Sequence, residues 1–254
     1  VLNLFTPCIY GETVQVDDAL KIRFVDAGHL LGSSSIELWV TEKEKEVKLV
    51  FSGDIGQGNK PLIKSPTFLE EADYVIMEST YGDREHNLPV DYATELAEVI
   101  KRTFIRGGNL VIPAFSVGRT QEMLYFLRRI KTEHLLPEFE DFEVYIDSPL
   151  AIEATNVFHK NVRECFSDEA LELVEKGINP IQFPGLKTAV DSNASKQINF
   201  LKKPVVIISA SGMCEAGRIR HHLKHNLWRD DSTILFVGYQ VPGTLGHALL
   251  NGAK

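Results

Sequence analysis

Eight short runs of apolar, β-branched and aromatic residues recur along the chain, and each is bounded by Gly, Pro, Ser or Asp. Runs of this length with such boundaries are typical of β-strands. They are IRFVDAG, SSIELWV, VKLVFSG, YVIMES, NLVIPAF, EVYIDS, PVVIISAS and TILFVGY. The pattern therefore predicts a strand-rich chain from residue 22 to residue 239.

From Asp91 onward, helical periodicity alternates with these strands. The first apolar stripe, with i, i+3, i+4 spacing, is followed by Gly107-Gly108, which predicts the end of a helix. Its members are Ala93, Leu96, Ala97, Ile100 and Phe104, and a second stripe consists of Met123, Leu124, Leu127 and Ile130. Because strands alternate with helices, we predict an α/β fold with a mainly parallel sheet covered by helices on both faces.

The part before residue 88 has a different pattern. Two predicted strands there flank the charged run 42–46, which indicates an exposed hairpin tip and a more antiparallel sheet. The segment GDREHNLPVD carries residues typical of turns and helix caps. We therefore predict two domains, 1–87 and 88–254.

Composition and charge narrow the class of protein. The chain has 254 residues, of which 44% are apolar, enough for a buried core, and this excludes disordered and fibrous proteins. Its net charge of −8 requires any contact with nucleic acid to be local. Three cysteines without a CxxC pair favour a reducing compartment and exclude a thiolate zinc site. No signal peptide or membrane span is visible, so we expect a cytoplasmic protein without a membrane partner.

Three predicted strands each lead into a potential metal ligand or acid: His29, Asp54 and Glu78. Strands that run in one direction deliver these residues to one edge of a sheet, so we expect them to converge. An imidazole and carboxylates suit zinc or manganese, and a carboxylate can bridge two ions. The alternative is that each is an ordinary turn residue. Two ligands also do not complete a catalytic zinc site, which needs three from the protein.

The segment from Glu215 to Arg229 is the most basic part of the chain. It has no acidic residue between 216 and 229, and it follows a turn rich in small residues. We predict a helix from Glu215 whose amino end and whose side chains Arg218, Arg220 and Lys224 contact the phosphates of a nucleic-acid backbone. The alternative is a solvated face. A metal role for His221 and His225 is disfavoured because no Glu follows the first His, as it does in HExxH.

Two further turns are candidate sites. In PAFSVGRTQE a strand meets a helix near Arg119, which suits an anion site or simple helix capping. Asp147 and Ser148 follow another strand, and we expect both to cap the next helix. No GxGxxG, GxxxxGK[ST] or nucleophile-elbow pattern occurs, which disfavours dinucleotide, kinase and serine-hydrolase functions.

Several motifs occur together in a fixed order. They are DAGHLLGSSSIEL, FSGDIG, MESTYGDREH, PAFSVGRTQEML, DSPLA, SASGMCEAGRIRHHLKH and GYQVPGTLG. In this order they resemble the β-CASP branch of the metallo-β-lactamase family, a group of RNA-processing nucleases. The resemblance implies a partial metallo-β-lactamase αββα sandwich over 1–87, followed by a β-CASP domain over 88–254.

The resemblance also implies roles for residues. It makes His29 a zinc ligand, Asp54 the carboxylate that bridges two zinc ions, and Glu78 an acidic residue of the catalytic site. It places the basic helix and Arg119 in the domain that holds the RNA backbone. The implied activity is zinc-dependent hydrolysis of RNA phosphodiester bonds, with single-stranded RNA as partner and a homodimer as a family-based expectation.

Other family motifs are not found in this sequence. The HxHxDH cluster is expected before residue 1, and two histidine motifs are expected beyond residue 254. We therefore expect a truncated portion of the enzyme that holds few or no zinc ions and is inactive alone. The alternatives are a non-catalytic RNA-binding or scaffold member of the family and a metallo-nuclease that acts on DNA.

Overall fold

The structure is a computed structural model that describes residues 2–83 and 91–253. The chain forms two compact units: the first comprises Val1–Leu88 and Arg163–Leu171, and the second comprises Pro89–Val162 and Glu172–Lys254. The predicted domain boundary between residues 87 and 88 lies outside the described residues. Within the described ranges, no helix is both long and apolar enough to cross a membrane.

The first unit contains a five-stranded sheet in the order β1-β2-β3-β4-β5. The strands are β1 (Thr13–Asp17), β2 (Leu20–Asp26), β3 (Ser34–Glu42), β4 (Lys45–Phe51) and β5 (Tyr74–Ile76). The pairs from β1 to β4 are antiparallel, whereas β4 and β5 are parallel. The predicted antiparallel character of this part is confirmed for all but the last pair.

The charged run between β3 and β4 forms a tight hairpin. Glu42 pairs with Lys45 across the ladder, which leaves Lys43 and Glu44 as the two turn residues. Their φ angles are 50° and 66°. Two consecutive left-handed residues match the turn type that suits the twist of a hairpin. The predicted exposed tip is confirmed.

One face of this sheet is apolar in every strand. Cross-strand partners on it are apolar pairs, for example Ile22 with Leu38 and Leu38 with Leu49. No apolar residue of the described strands on this face is fully buried. Exposed fractions are 37% for Phe51, 64% for Tyr74 and 48% for Ile76. An apolar sheet face of this extent normally packs against another layer.

The second unit contains a parallel sheet in the order β10-β6-β9-β7-β8. Its strands are β6 (Leu110–Pro113), β7 (Val144–Ile146), β8 (Leu186–Thr188), β9 (Val206–Ser209) and β10 (Thr233–Ile234). Its helices are α1 (Tyr92–Ile105), α2 (Arg119–Thr132), α3 (Pro149–Lys160), α6 (Ser192–Ile198), α7 (Ile219–Asn226) and α8 (Leu245–Leu250), whereas α4 (Val162–Cys165) and α5 (Asp168–Glu175) lie partly in the segment Arg163–Leu171 of the first unit. The predicted parallel sheet with helices is confirmed.

Both faces of the parallel sheet are buried. Val111 and Ile207 pack on one face with Ile198 of α6 and Leu223 of α7. Because side chains alternate along a strand, Leu110, Ile112, Val206 and Ile208 point to the other face, and each is at most 1% exposed. The predicted stripe of α1 is buried, from Ala93 to Phe104. This double covering explains why these strands are continuously apolar.

The structure differs from the sequence prediction at the start of the basic helix. That helix, α7, begins at Ile219 rather than at the predicted Glu215. Cys214 and Gly217 have φ angles of 64° and 82°, which a right-handed helix does not accept. The segment from Ser211 to Arg218 is therefore a turn. Two strands, β1 and β8, were not predicted from the sequence.

The carboxylate of Glu143, next to β7, contacts three neighbouring side chains. Its carboxylate accepts hydrogen bonds from Lys187 at 2.7 Å and from the Tyr145 hydroxyl at 2.9 Å, and it pairs with Lys203 at 2.9 Å. Burial raises the pKa of Glu143, but these contacts outweigh burial and lower its pKa to about 2. Because the folded pKa lies below the unfolded value of about 4.3, the contribution of Glu143 to stability is present above that value and is lost as the pH falls toward 2.

We therefore expect Glu143→Gln to lower the free energy of unfolding at pH 6 by about 1–2 kcal/mol. The difference from the parent protein should shrink by more than half at pH 3, because at that pH Glu143 is protonated in the unfolded parent chain but still ionised in the folded one, whereas the variant has no carboxyl group to titrate there. Urea unfolding at the two pH values measures this. Equal differences at pH 6 and pH 3 would show that the ion pairs do not produce the stabilisation.

Candidate functional site

Three strands of the first unit end at the same edge of its sheet. β2 and β4 are both antiparallel to β3, so they run in the same direction, and β5 is parallel to β4. His29, Asp54 and Glu78 follow the carboxyl ends of β2, β4 and β5. The expected convergence of these chain segments is therefore found in the structure. Their catalytic roles remain predictions.

The loops after β2 and β4 pack backbone to backbone. The Gly56 N–H donates a hydrogen bond to the Ala27 carbonyl at 2.8 Å. A Cβ atom at Gly56 would lie 1.8 Å from the Gly28 carbonyl oxygen and 2.7 Å from the His29 nitrogen. Only glycine permits this approach. The close packing brings the chain segment of Asp54 beside that of His29.

Glu78 is held by the same loop. Its Oε1 atom accepts a hydrogen bond from the Ile55 N–H at 2.5 Å, and its Oε2 atom accepts one from the Thr80 hydroxyl at 2.6 Å. The Glu78 N–H donates to the Ser52 hydroxyl at 3.0 Å. The hydrogen bonds from Thr80 and Ile55, with a smaller effect of the His29 charge, lower the pKa of Glu78. Glu78 is thus a fixed carboxylate at neutral pH.

The side chains of His29 and Asp54 are less constrained by hydrogen bonds than the side chain of Glu78. Asp54 is exposed and His29 is partly exposed. Within the described part of the chain, neither side chain makes a hydrogen bond, so both have lone pairs available to a ligand. In residues 2–83 and 91–253 there is no group of three or more His, Cys, Asp or Glu side chains that could hold a metal. The donors present, an imidazole and a carboxylate, fit zinc in kind, but a catalytic zinc needs more ligands.

The hydrogen-bond donors of the turn before α2 find acceptors within the same turn and the start of the helix. The Gly118 N–H donates to the Gln121 side chain at 2.8 Å, and the Thr120 hydroxyl donates to the Phe115 carbonyl at 2.7 Å. Gln121 itself is fully buried. Arg119 forms an ion pair with Glu122, and 41% of its side chain is exposed. These contacts favour capping over the predicted anion site at this turn, although the exposed Arg119 side chain stays a predicted phosphate contact.

Asp147 lies in a buried polar cluster at the carboxyl edge of the second sheet. Its Oδ1 atom accepts a hydrogen bond from Arg218 at 2.7 Å. Its Oδ2 atom accepts hydrogen bonds from the Ser195 hydroxyl at 2.5 Å and from the His222 Nε2 at 2.6 Å. The side chains of Asp147 and His222 are 0% exposed. We call Asp147, Ser195, Arg218 and His222 the Asp147 cluster.

The expectation that Asp147 caps the next helix is wrong. Ser148 alone caps α3, by accepting a hydrogen bond from the Ala151 N–H at 3.2 Å. Burial raises the pKa of Asp147, but the hydrogen bonds from His222, Ser195 and Arg218 outweigh burial and leave its pKa below the usual value. The carboxylate therefore links the end of β7 to α6 and α7.

Arg218 makes intramolecular contacts on both of its terminal nitrogens. Besides Asp147, it donates to the Ala189 carbonyl at 2.8 Å and to the Val190 carbonyl at 2.9 Å. The turn before α7 also satisfies its own donors, because the Ala216 N–H donates to the Ser211 hydroxyl and the Ile219 N–H donates to the Ala210 carbonyl. The amino end of α7 is thus not the open phosphate site expected from the sequence. The contacts of Arg218 favour a structural role.

The remaining basic side chains of α7 face outward. Arg220, His221, Lys224 and His225 are exposed, whereas Ile219, His222 and Leu223 are buried. Arg220 and Lys224 therefore stay predicted phosphate contacts. No local pattern separates His222 from His221 and His225, because only its partner Asp147, 75 positions away, distinguishes it.

Comparison with known proteins gives consistent results. The Beta-Casp domain family matches residues 120–249, which is about half of the chain. Ribonuclease TTHA0252 of Thermus thermophilus is 37% identical over 249 residues, covering 98% of this chain and 55% of that protein. An RNase J-like protein of Methanocaldococcus jannaschii is 36% identical over 96% of this chain and 55% of its own length. Transcription termination factor FttA of Methanosarcina mazei is 32% identical over 98% of this chain and 38% of its own length. The chain thus spans about half the length of the first two relatives, and less of the third.

Proposed function

Because this chain belongs to the β-CASP branch of the metallo-β-lactamase RNA-nuclease family, we propose that it is part of a zinc-dependent ribonuclease that hydrolyses RNA phosphodiester bonds. The observation that supports this proposal is that β2, β4 and β5 end at one sheet edge, where the segments holding His29, Asp54 and Glu78 follow them. The relatives named as ribonucleases support an RNA substrate. We further propose a cytoplasmic protein that acts on single-stranded RNA, with a homodimer as an untested family-based expectation.

In this proposal each residue of the edge has a distinct role. His29 and Asp54 would hold zinc through an imidazole nitrogen and carboxylate oxygens, and Asp54 would bridge two ions. When bound, zinc supplies water activation and charge neutralisation at the phosphate. Glu78 stays ionised, because two hydrogen bonds lower its pKa, so it suits orienting a histidine by a charge-assisted hydrogen bond rather than donating a proton. Arg119, Arg220 and Lys224 would contact RNA phosphates.

We also propose that this chain is a portion of a longer enzyme. The apolar face of the first sheet supports this, because Phe51, Tyr74 and Ile76 remain exposed on it. The span of this chain within its relatives supports it as well, since the match covers 55% of the first two. Flanking segments would then cover the apolar face and supply the missing zinc ligands.

The test compares the chain of 254 residues with the full-length protein. We expect the full-length protein to hold about two zinc ions, to cleave single-stranded RNA, to lose activity on chelation and to regain it with zinc. The shorter chain should hold little zinc, should not cleave RNA, and should bind more of a dye that reports exposed apolar surface. Elemental analysis, a labelled-RNA assay and dye fluorescence measure these properties.

The outcomes separate the alternatives. RNA binding without hydrolysis by the zinc-loaded full-length protein would favour the non-catalytic scaffold. Faster hydrolysis of DNA than of RNA would favour the DNA-acting nuclease. If the 254-residue chain held two zinc ions tightly, the proposal that other segments provide ligands would be overturned.

A further inference from the structure

Two segments of the second unit are basic without any acidic residue. Segments 192–205 and 216–229 contain no Asp or Glu, in a chain whose net charge is −8. Their basic residues are Lys196, Lys202, Lys203, Arg218, Arg220, Lys224 and Arg229. The segments are separate in sequence, so the sequence alone does not show whether they form one surface.

The structure places the two segments side by side. Ile198 of α6 is buried in the same apolar cluster as Ile219 and Leu223 of α7. The His222 Nδ1 atom lies 2.9 Å from the Asn199 side-chain oxygen. Just after α6, the ring of Phe200 makes an edge contact with His225, with 6.0 Å between ring centroids. We call the outward side of 196–202 and 220–228 the α6–α7 surface.

Two large aromatic side chains project from this surface. Phe200 is 69% exposed and Trp228 is 76% exposed. Leu227 keeps right-handed helical dihedrals, so Trp228 follows His225 by about one helical turn and lies on the same side. A single exposed aromatic residue needs no explanation. Here, however, two of them lie within one basic surface.

Four cations of the surface are free to contact a ligand. Across the described residues, Lys196, Lys202, Arg220 and Lys224 have no ion-pair partner, and all four are exposed. Lys203, Arg218 and Arg229 are instead paired with Glu143, Asp147 and Asp231. The free cations and the exposed rings therefore occur on the same surface. Proteins that bind single strands without sequence preference combine these two features, because phosphates need cations and bases stack on rings.

We propose that the α6–α7 surface is a binding site for single-stranded RNA, in which bases stack on Phe200 and Trp228 and phosphates contact Lys202 and Lys224. The proposal rests on the proposed function for its RNA ligand, and it adds a site that lies in the second unit, whereas His29, Asp54 and Glu78 lie in the first. Such a site would increase the affinity for RNA long enough to reach it.

The test uses full-length protein carrying Asp54→Ala, so that the RNA stays intact during binding measurements. In this background Trp228→Leu should weaken binding of an RNA of about 30 nucleotides roughly tenfold, whereas Trp228→Phe, which keeps an aromatic ring, should retain most of the affinity. Lys224→Ala should reduce the slope of log affinity against log salt by about 0.7, and the exposed Lys176→Ala serves as its control. Unchanged thermal unfolding of each variant confirms its fold.

The results distinguish this site from the proposed function. If full-length protein with Asp54 intact cleaves RNA but Trp228→Leu and Lys224→Ala bind long RNA like the parent, the α6–α7 surface is not an RNA site. If Trp228→Phe and Trp228→Leu weaken RNA binding equally and Lys224→Ala leaves the salt slope unchanged, base stacking and phosphate contact at this surface are both excluded and the proposal is overturned. If the intact protein cleaves no RNA at all, the proposed function fails whatever these variants show.

Discussion

Replacing Asp54 by Ala in the full-length protein is expected to lower kcat/KM for RNA hydrolysis by more than about a hundredfold. Loss of groups that only support metal ligands already costs 10- to 100-fold, and Asp54 is proposed to bind the metals directly. The fold should survive, because Asp54 is exposed in a loop and, in the described structure, makes no side-chain hydrogen bond. Zinc content should fall together with activity.

A matched control is Asp18→Ala. Asp18 is an exposed acid in the turn between β1 and β2, so it precedes β2, whereas His29 follows the other end of that strand. We expect its activity and zinc content to equal those of the parent. Steady-state kinetics on labelled RNA and elemental analysis provide the measurements. Near-normal turnover by the Asp54 variant would identify Asp54 as an ordinary turn residue and remove the main support for the metal site.

The largest expected effect on stability is at Asp147. Replacing it by Ala should lower the free energy of unfolding of the second unit by about 3–5 kcal/mol, because Arg218 and His222 would lose their buried anionic partner. His222 is 0% exposed, so water does not replace that partner without local opening. Denaturant unfolding of the full-length protein, with a probe in the second unit, measures the loss.

Glu172→Ala is the control for this measurement. Glu172 forms an exposed i, i+4 pair with Lys176 at 3.7 Å, and such pairs contribute about 0.3–0.5 kcal/mol. Arg218→Ala should resemble Asp147→Ala in its loss of stability. If Arg218→Ala instead kept full stability and lost RNA affinity, the original phosphate-binding interpretation of Arg218 would replace the structural one.

Local patterns were sufficient for much of the fold. The stripe from Ala93 to Phe104 predicts α1 because a 3.6-residue period directly reports which side of a helix is buried. The hairpin at Lys43-Glu44 was visible because charged residues interrupt two alternating strands. The shared edge of β2, β4 and β5 followed from the direction of the strands, which the order of elements constrains.

Other features depend on contacts that no local pattern encodes. Asp147 and His222 are 75 positions apart, and their pairing changes a predicted helix cap into a buried charge. The same pairing redirects Arg218 from solvent to the interior of the unit. β8 has three residues, of which two are exposed, so it has no apolar run to recognise. The start of α7 was predicted too early because Gly217, inside the predicted first turn, has a left-handed φ of 82°, and a glycine does not reveal by its type which of its many backbone conformations it adopts.

Gly56 shows that the spacing of a candidate site can depend on a residue with no functional group. If a Cβ atom replaced a hydrogen on the Gly56 Cα, that Cβ would lie only 1.8 Å from the Gly28 carbonyl oxygen. A search for chemistry-bearing side chains therefore overlooks it. In comparing members of this family, the identity of the residue at this position is as informative about the integrity of the site as the identity of its acids and histidine. A larger residue there would indicate a rearranged edge even where His29, Asp54 and Glu78 are all present.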